Sequence, residues 1–244
     1  MRVAIPAVFA TLLLALPAAT QAETREAVVD FSNRQGQPER WVLMETVSGD
    51  AADRSVRREY RRDGELFYVE MSRVVDGTLT ELLVTDRREG GEPVRVTRLG
   101  DRLTFTPLYE GAAPRSETVT GEVLAVGQVA PRLAELLRNE PGIREHRFRV
   151  PITKALKSAP MRARLTAVTA DTFDVELRSS DFLVQTFFMR DSFRMSVERE
   201  SGRLIRFEGQ PEPYDLSSGR ARSIWTAHDF AAVEPDPSAV AGEN

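Results

Sequence analysis

The sequence predicts a mainly β protein, an antiparallel meander curved into a half-barrel around one amphipathic helix. Three observations carry this prediction. Turn signals recur at short spacing, among them RDGE (62–65), VDGT (75–78), LGDR (99–102), TADT (169–172) and ESGR (200–203), separated by runs rich in Val, Leu, Phe, Tyr and Thr. Those runs alternate: in TFDVELR, Phe173, Val175 and Leu177 stand against Asp174, Glu176 and Arg178. One segment, GQVAPRLAELLRNEPG (127–142), has helical spacing instead, with Val129, Leu133, Leu136 and Leu137 on one stripe.

Taken from the N-terminus, MRVAIPAVFATLLLALPAATQA reads as an export signal. Arg2 precedes an apolar run broken at Pro17, and small residues lead to an expected cleavage after Ala22. The run is too short to span about 30 Å of hydrocarbon, so no membrane-spanning segment is expected. Residues 23–230 are expected to form a single β-rich domain, and 231–244 a disordered tail. The sequence has no cysteine, which excludes both a lipidated N-terminal cysteine and disulfides. The expected compartment is the periplasm. A net charge of -4 argues against a nucleic-acid partner.

The hairpins follow from their turns. Through Asp63-Gly64, Arg57 is expected opposite Glu70 on the outer face. Through Asp76-Gly77, Val69 pairs with Val84 and Met71 with Leu82 on the core face. A three-residue loop at Glu200-Ser201-Gly202, with Gly202 left-handed, pairs Val197 with Ile205 and Met195 with Phe207. Two-residue turns at Ser179-Ser180 and Arg190-Asp191 place a strand over 182–189 between its neighbours, with Val184 between Val175 and Val197. In the helix, Pro131 is tolerated near the start and Pro141-Gly142 ends it. Its apolar stripe needs the concave side of the sheet.

Residues 182–189 break the alternation, being apolar on both faces. Phe182, Val184 and Phe188 belong to the expected core face. Leu183, Phe187 and Met189 are left on the other.

Catalytic chemistry finds no constellation. His146, in REHRFRV, reads as a solvent-facing strand residue, and His228 and Asp229 are strand neighbours that point to opposite faces. No G-x-S-x-G elbow nominates a serine. With no cysteine and two separated histidines, no metal site is expected, and no cofactor. Gly90-Gly91 lacks a lysine or a helix start, so it is a turn and not a phosphate cradle. Short strands, 7% aromatic residues and a polar tail argue against an outer-membrane barrel.

The stretch FRMSVERESGRLIRFEG (193–209), with the signal peptide, the meander and the single helix, resembles bacterial periplasmic proteins of the lipoprotein-localisation-factor (LolA/LolB-like) fold. The resemblance covers most of 38–230 and is closest to uncharacterised members. It implies an antiparallel sheet wrapped around helix and an enclosed apolar cavity, which in the lipoprotein carriers receives acyl chains. Unlike LolB, this chain has no lipidated cysteine, and no functional residue carries over one by one.

Two functional readings follow. In the first, a non-enzymatic binding protein holds an acyl chain or other apolar small molecule on the concave face, lined by Phe182, Val184, Phe188, Phe193, Leu133 and Leu137. In the second, an envelope protein meets a protein partner through Leu183, Phe187 and Met189.

Overall fold

The computed structural model describes residues 22–32, 38–50, 52–87, 92–179, 193–209 and 223–233. Eight strands precede the helix: β1 (Glu23–Ser32), β2 (Pro38–Gly49), β3 (Asp53–Arg62), β4 (Glu65–Val75), β5 (Thr78–Asp86), β6 (Val94–Leu99), β7 (Arg102–Pro107) and β8 (Arg115–Thr118). Helix α1 (Val126–Asn139) leads to β9 (Glu145–Ile152), β10 (Lys157–Val168), β11 (Thr172–Ser179), β12 (Phe193–Glu198), β13 (Leu204–Gly209) and β14 (Ser223–Val233).

All fourteen strands form one antiparallel sheet in the order β8-β7-β6-β5-β4-β3-β2-β1-β14-β13-β12-β11-β10-β9. Consecutive strands are neighbours everywhere except between β8 and β9, the two edges, and the connection between those edges contains α1. No ladder joins β8 to β9, so the sheet is curved but not closed. The seam is spanned by a parallel bridge between Val123 and Arg149 and by the Ser158 amide, which donates to Glu117 Oε1 at 2.6 Å. The bridge supplies partners to the Arg149 backbone on the edge strand β9, and the Ser158 amide of β10 reaches across to Glu117 on the edge strand β8.

The helix lies on the concave side. It buries Val129, Ala130, Leu133 and Ala134 against Phe148, Met161, Ala163, Phe173, Val175, Leu177, Met195 and Val197. A second cluster, with Trp41, Tyr60, Tyr68, Leu82, Val96, Leu103 and Phe105, fills the other half of the sheet. Leu204 and Phe207 pack against both clusters and join them. The helix runs from Val126 to Asn139, as its stripe predicts, and Pro131 falls inside it.

Several register expectations are corrected. Asp63 and Gly64 (φ 53° and 80°) and Asp76 and Gly77 (48° and 73°) do form tight left-handed turns. Each turn is followed by a β-bulge, in which Phe67 is the extra residue opposite Tyr60 and Arg61 and Thr80 the extra residue opposite Arg73 and Val74. A bulge shifts the register by one residue, which exchanges the faces beyond it. Glu70 therefore pairs with Arg58 rather than Arg57. Met71 pairs with Leu83, and Val69 with Thr85. Tyr68, Glu70 and Ser72 turn inward, while Met71 is 40% exposed.

In the second half, β11 pairs directly with β12, through Phe173↔Val197, Val175↔Met195 and Leu177↔Phe193. This direct pairing corrects the expected interposition of a strand between Val175 and Val197, and residues 182–189 lie outside the described residues. The faces of β11 and β12 are nevertheless as expected, because inserting or removing a whole antiparallel neighbour leaves in–out alternation untouched. The third hairpin keeps Met195↔Phe207, with Gly202 at φ 72°, but a bulge moves Val197 onto Leu204. Several strands also exceed the expected length, β2 and β10 having 12 residues each.

A polar helix seat and the mouth beside it

The register shift in β3 and β4 creates what the sequence pattern hid, a polar group under the helix start. Arg58 is 7% exposed and Glu70 3% exposed. Arg58 Nη2 donates to Tyr60 Oη at 3.2 Å, and Tyr68 Oη lies 3.5 Å from Glu70 Oε2. The Tyr60 and Tyr68 rings meet edge to face at 5.9 Å. Arg58 Nε stands 3.3 Å from Glu45 Oε2, although the geometry is not that of a hydrogen bond. Burial works against the Arg58 charge, but the Tyr60 hydroxyl and the Glu45 and Glu70 carboxylates raise its pKa above the ordinary arginine value. The guanidinium therefore stays charged inside the protein, compensated on two sides.

The helix is seated on this group. The Gly127 amide donates to Glu70 Oε1 at 3.0 Å, which satisfies one of the free donors of the first turn. Gln128 Nε2 reaches Ser72 Oγ at 3.4 Å, and Gln128 Oε1 accepts from the Ala125 amide at 2.9 Å. Position 127 must be glycine for this approach: a Cβ there would stand 2.5 Å from Arg58 Cδ. At the sheet's other wall a Cβ on Gly202 would stand 2.8 Å from Pro131 Cα. Farther along, Arg138 Nη1 donates to the carbonyls of Arg199 and Glu200 at 2.9 and 3.0 Å.

Beside the seat opens a mouth of about 160 Å³. Ala27, Leu43, Ala130 and Leu204 line it beside the buried Arg58, and Glu23, Arg25, Glu26, Glu45, Arg54 and Arg203 line it as well. The cleft deeper along the helix, between Leu133, Leu137, Ala163 and Leu165, has only about 20 Å³, room for about one water.

Of the residues expected to line an apolar site, Leu133 is buried and Leu137 and Phe193 are half-buried in the same cluster. The Phe193 ring lies 5.4 Å from that of Phe207. Phe182, Val184 and Phe188, and likewise Leu183, Phe187 and Met189, lie outside the described residues. His146 is not solvent-facing. It is half-buried, its Nε2 is 2.5 Å from Glu122 Oε2, and its ring stacks on Phe148 at 5.9 Å. Glu122 also accepts from Arg132 Nε at 2.7 Å. One carboxylate thus joins the helix, the seam segment and β9. Among the described residues no group of three or more His, Asp or Glu could hold a metal ion. No described helix is long and apolar enough to cross a membrane.

An open, barrel-like antiparallel sheet curved over the one α-helix of the described residues defines the class of fold, in keeping with the architecture the LolA-like resemblance implied. Among solved structures the chain is similar to a β-barrel-like protein from Brucella abortus, of a domain family of unknown function designated DUF1849. That match has a TM-score of 0.52 at 8% identity and covers 88% of this chain and 100% of the other. A LolA superfamily protein from Nitrosomonas europaea also matches, with a TM-score of 0.25 and 10% identity over 92% of this chain and 91% of that one. The first likeness speaks for the fold alone. No family model and no curated protein matches the chain.

Proposed function

We propose that the chain is an exported, non-enzymatic binding protein that acts in the periplasm. It takes an acyl chain or similar apolar ligand on the concave side of the sheet. The observation that carries this reading is the mouth beside Gly127, where Ala27, Leu43, Ala130 and Leu204, at the interface between helix and sheet, stand next to the charged groups of Arg58 and Glu45. Ligand sites of this kind combine an apolar lining with a few polar groups that fix orientation. At about 160 Å³ the mouth admits one end of a chain. The remainder must displace apolar side chains of the helix, such as Leu133 and Leu137, from their contacts with the sheet.

Titration with a fluorescent fatty acid tests the reading. The expected result is saturable binding by the wild type, weakened at least tenfold in Val47→Trp, whose indole would fill the mouth from its half-buried wall position. A non-saturating titration would overturn the reading. So would identical affinity in the variant.

A further inference from the structure

The convex face of β9, β10 and β11 carries two neighbouring rows of charge with opposite logic. In one row Glu145, Arg164, Glu176, Arg194 and Glu208 stand directly opposite one another on successive strands, so the sign alternates at every step. Directly opposed unlike charges stabilise a sheet, and like charges destabilise it. Two residues along, the same three strands place Arg147 opposite Arg162 and Arg162 opposite Arg178. Three guanidinium groups follow one another with no acid between them.

Among the described residues, partial compensation comes from the row next to it. Glu145 lies 3.0 Å from Arg147 and 3.7 Å from Arg162, and Glu176 lies 2.8 Å from Arg178. The three arginines, with Arg149, line an open groove of about 520 Å³ at the seam. Its one lining carboxylate, Glu122, is already held by Arg132 and His146. This basic groove sits on a chain whose net charge is -4.

We propose that the groove is an anion site that docks the protein on the phosphate headgroups of a lipid surface. Guanidinium forks match phosphate oxygens in pairs, and Arg is less strongly hydrated than Lys, which suits contact with phosphate. Openness argues for a surface over a small soluble anion. The side chains of Arg147, Arg162 and Arg178 remain 81%, 45% and 54% exposed, whereas small-molecule sites bury most of their ligand. The row also crosses three strands, a span of about 10 Å, wider than one phosphate. An occupying phosphate layer supplies the negative charge that the row itself lacks.

Co-sedimentation of the full chain with vesicles is the test. Vesicles of mixed phosphatidylcholine and phosphatidylglycerol should pellet the protein, vesicles of phosphatidylcholine alone should not, and salt should weaken the binding. Arg162→Gln and Arg178→Gln should each lower the affinity about fivefold. Each removes a like-charge neighbour and an exposed ion pair, contributions of opposite sign, so the melting temperatures should change little. Arg194→Gln makes the same charge change in the alternating row and should leave vesicle binding within twofold of wild type. Equal binding to neutral vesicles would overturn the proposal, as would an equal loss in Arg194→Gln. Displacement of the protein from vesicles by glycerol phosphate at the same phosphate concentration would reassign the groove to a soluble anion and overturn the lipid surface. The groove lies on the face opposite the concave site, so each of these results is independent of fatty-acid binding.

Discussion

Glu70 shows how a single residue ties fold to site. It sits at 3% exposure, accepts from the first turn of the helix and faces Arg58 across the β3–β4 ladder. Removing one partner of a buried charge pair leaves the other uncompensated, which costs about 3–5 kcal/mol. Glu70→Gln should therefore destabilise the protein by about 3 kcal/mol, toward the low end because Glu45 still faces Arg58. Met71→Ala, one residue along on the outer face, should cost under about 1 kcal/mol. Chemical denaturation of both variants checks the register, because the faces expected from sequence alternation predict the reverse order. Alternation favoured Val69 and Met71 inside because they are apolar and Glu70 is not. The pattern could not display a buried ion pair, since a compensated charge in the core and a solvated charge on the surface are spelled with the same residues.

At the scale of elements, legibility depended on how local the determinant is. The helix was readable over nearly its full length because its 3.6-residue stripe and its terminal Pro-Gly are properties of one contiguous segment. Both Asp-Gly turns were readable for the same reason. The bulges after them were not, because Phe67 and Thr80 are ordinary strand residues and only pairing with the next strand reveals the extra position. In β11 and β12 the faces were right and the neighbour wrong, since Val175 points inward whichever strand lies beside it. The close approach of Gly202 to the helix was likewise hidden, although the left-handed turn itself was not. Comparison of two glycine variants isolates that contact. Gly64→Ala meets nothing within 4 Å and suffers only its positive φ, a cost of about 1–2 kcal/mol. Gly202→Ala adds a Cβ 2.8 Å from Pro131 Cα, so the helix must move away from the turn. Gly202→Ala should lower the unfolding free energy by about 1–3 kcal/mol more than Gly64→Ala does, measured by urea denaturation. Equal losses would mean that the helix is not seated on that turn.

For the molecule as a whole, the weak line is the seam between β8 and β9, where no ladder runs and one backbone bridge with a few side chains holds the edges near each other. Glu122 is the most connected of them, accepting from Arg132 of the helix and lying within hydrogen-bond distance of His146 of β9. Burial pushes its carboxyl group up, but the bonds to His146 and Arg132 more than offset burial and hold its pKa below the ordinary 4.5. A carboxyl whose pKa is lower when folded stabilises the fold fully above its unfolded value, and loses that contribution as pH falls through the folded value. The seam should accordingly be intact at and above about pH 5 and weaken in increasingly acid solution. Glu59 and Glu198 are lowered in the same direction, so the whole chain will lose stability in acid and a single curve assigns nothing. Subtraction does. Glu122→Gln should be less stable than wild type at neutral pH, and the difference should shrink steadily below pH 4.5 as the wild-type carboxylate is protonated. Hydrogen exchange locates the effect: the Arg149 amide, which donates to the Glu122 carbonyl at 2.8 Å, should lose protection in the variant before the amides of the β3–β4 ladder do. A stability difference that stayed constant down to strongly acid pH would show that Glu122 acts there by shape alone, and the charge-based account of the seam would fail.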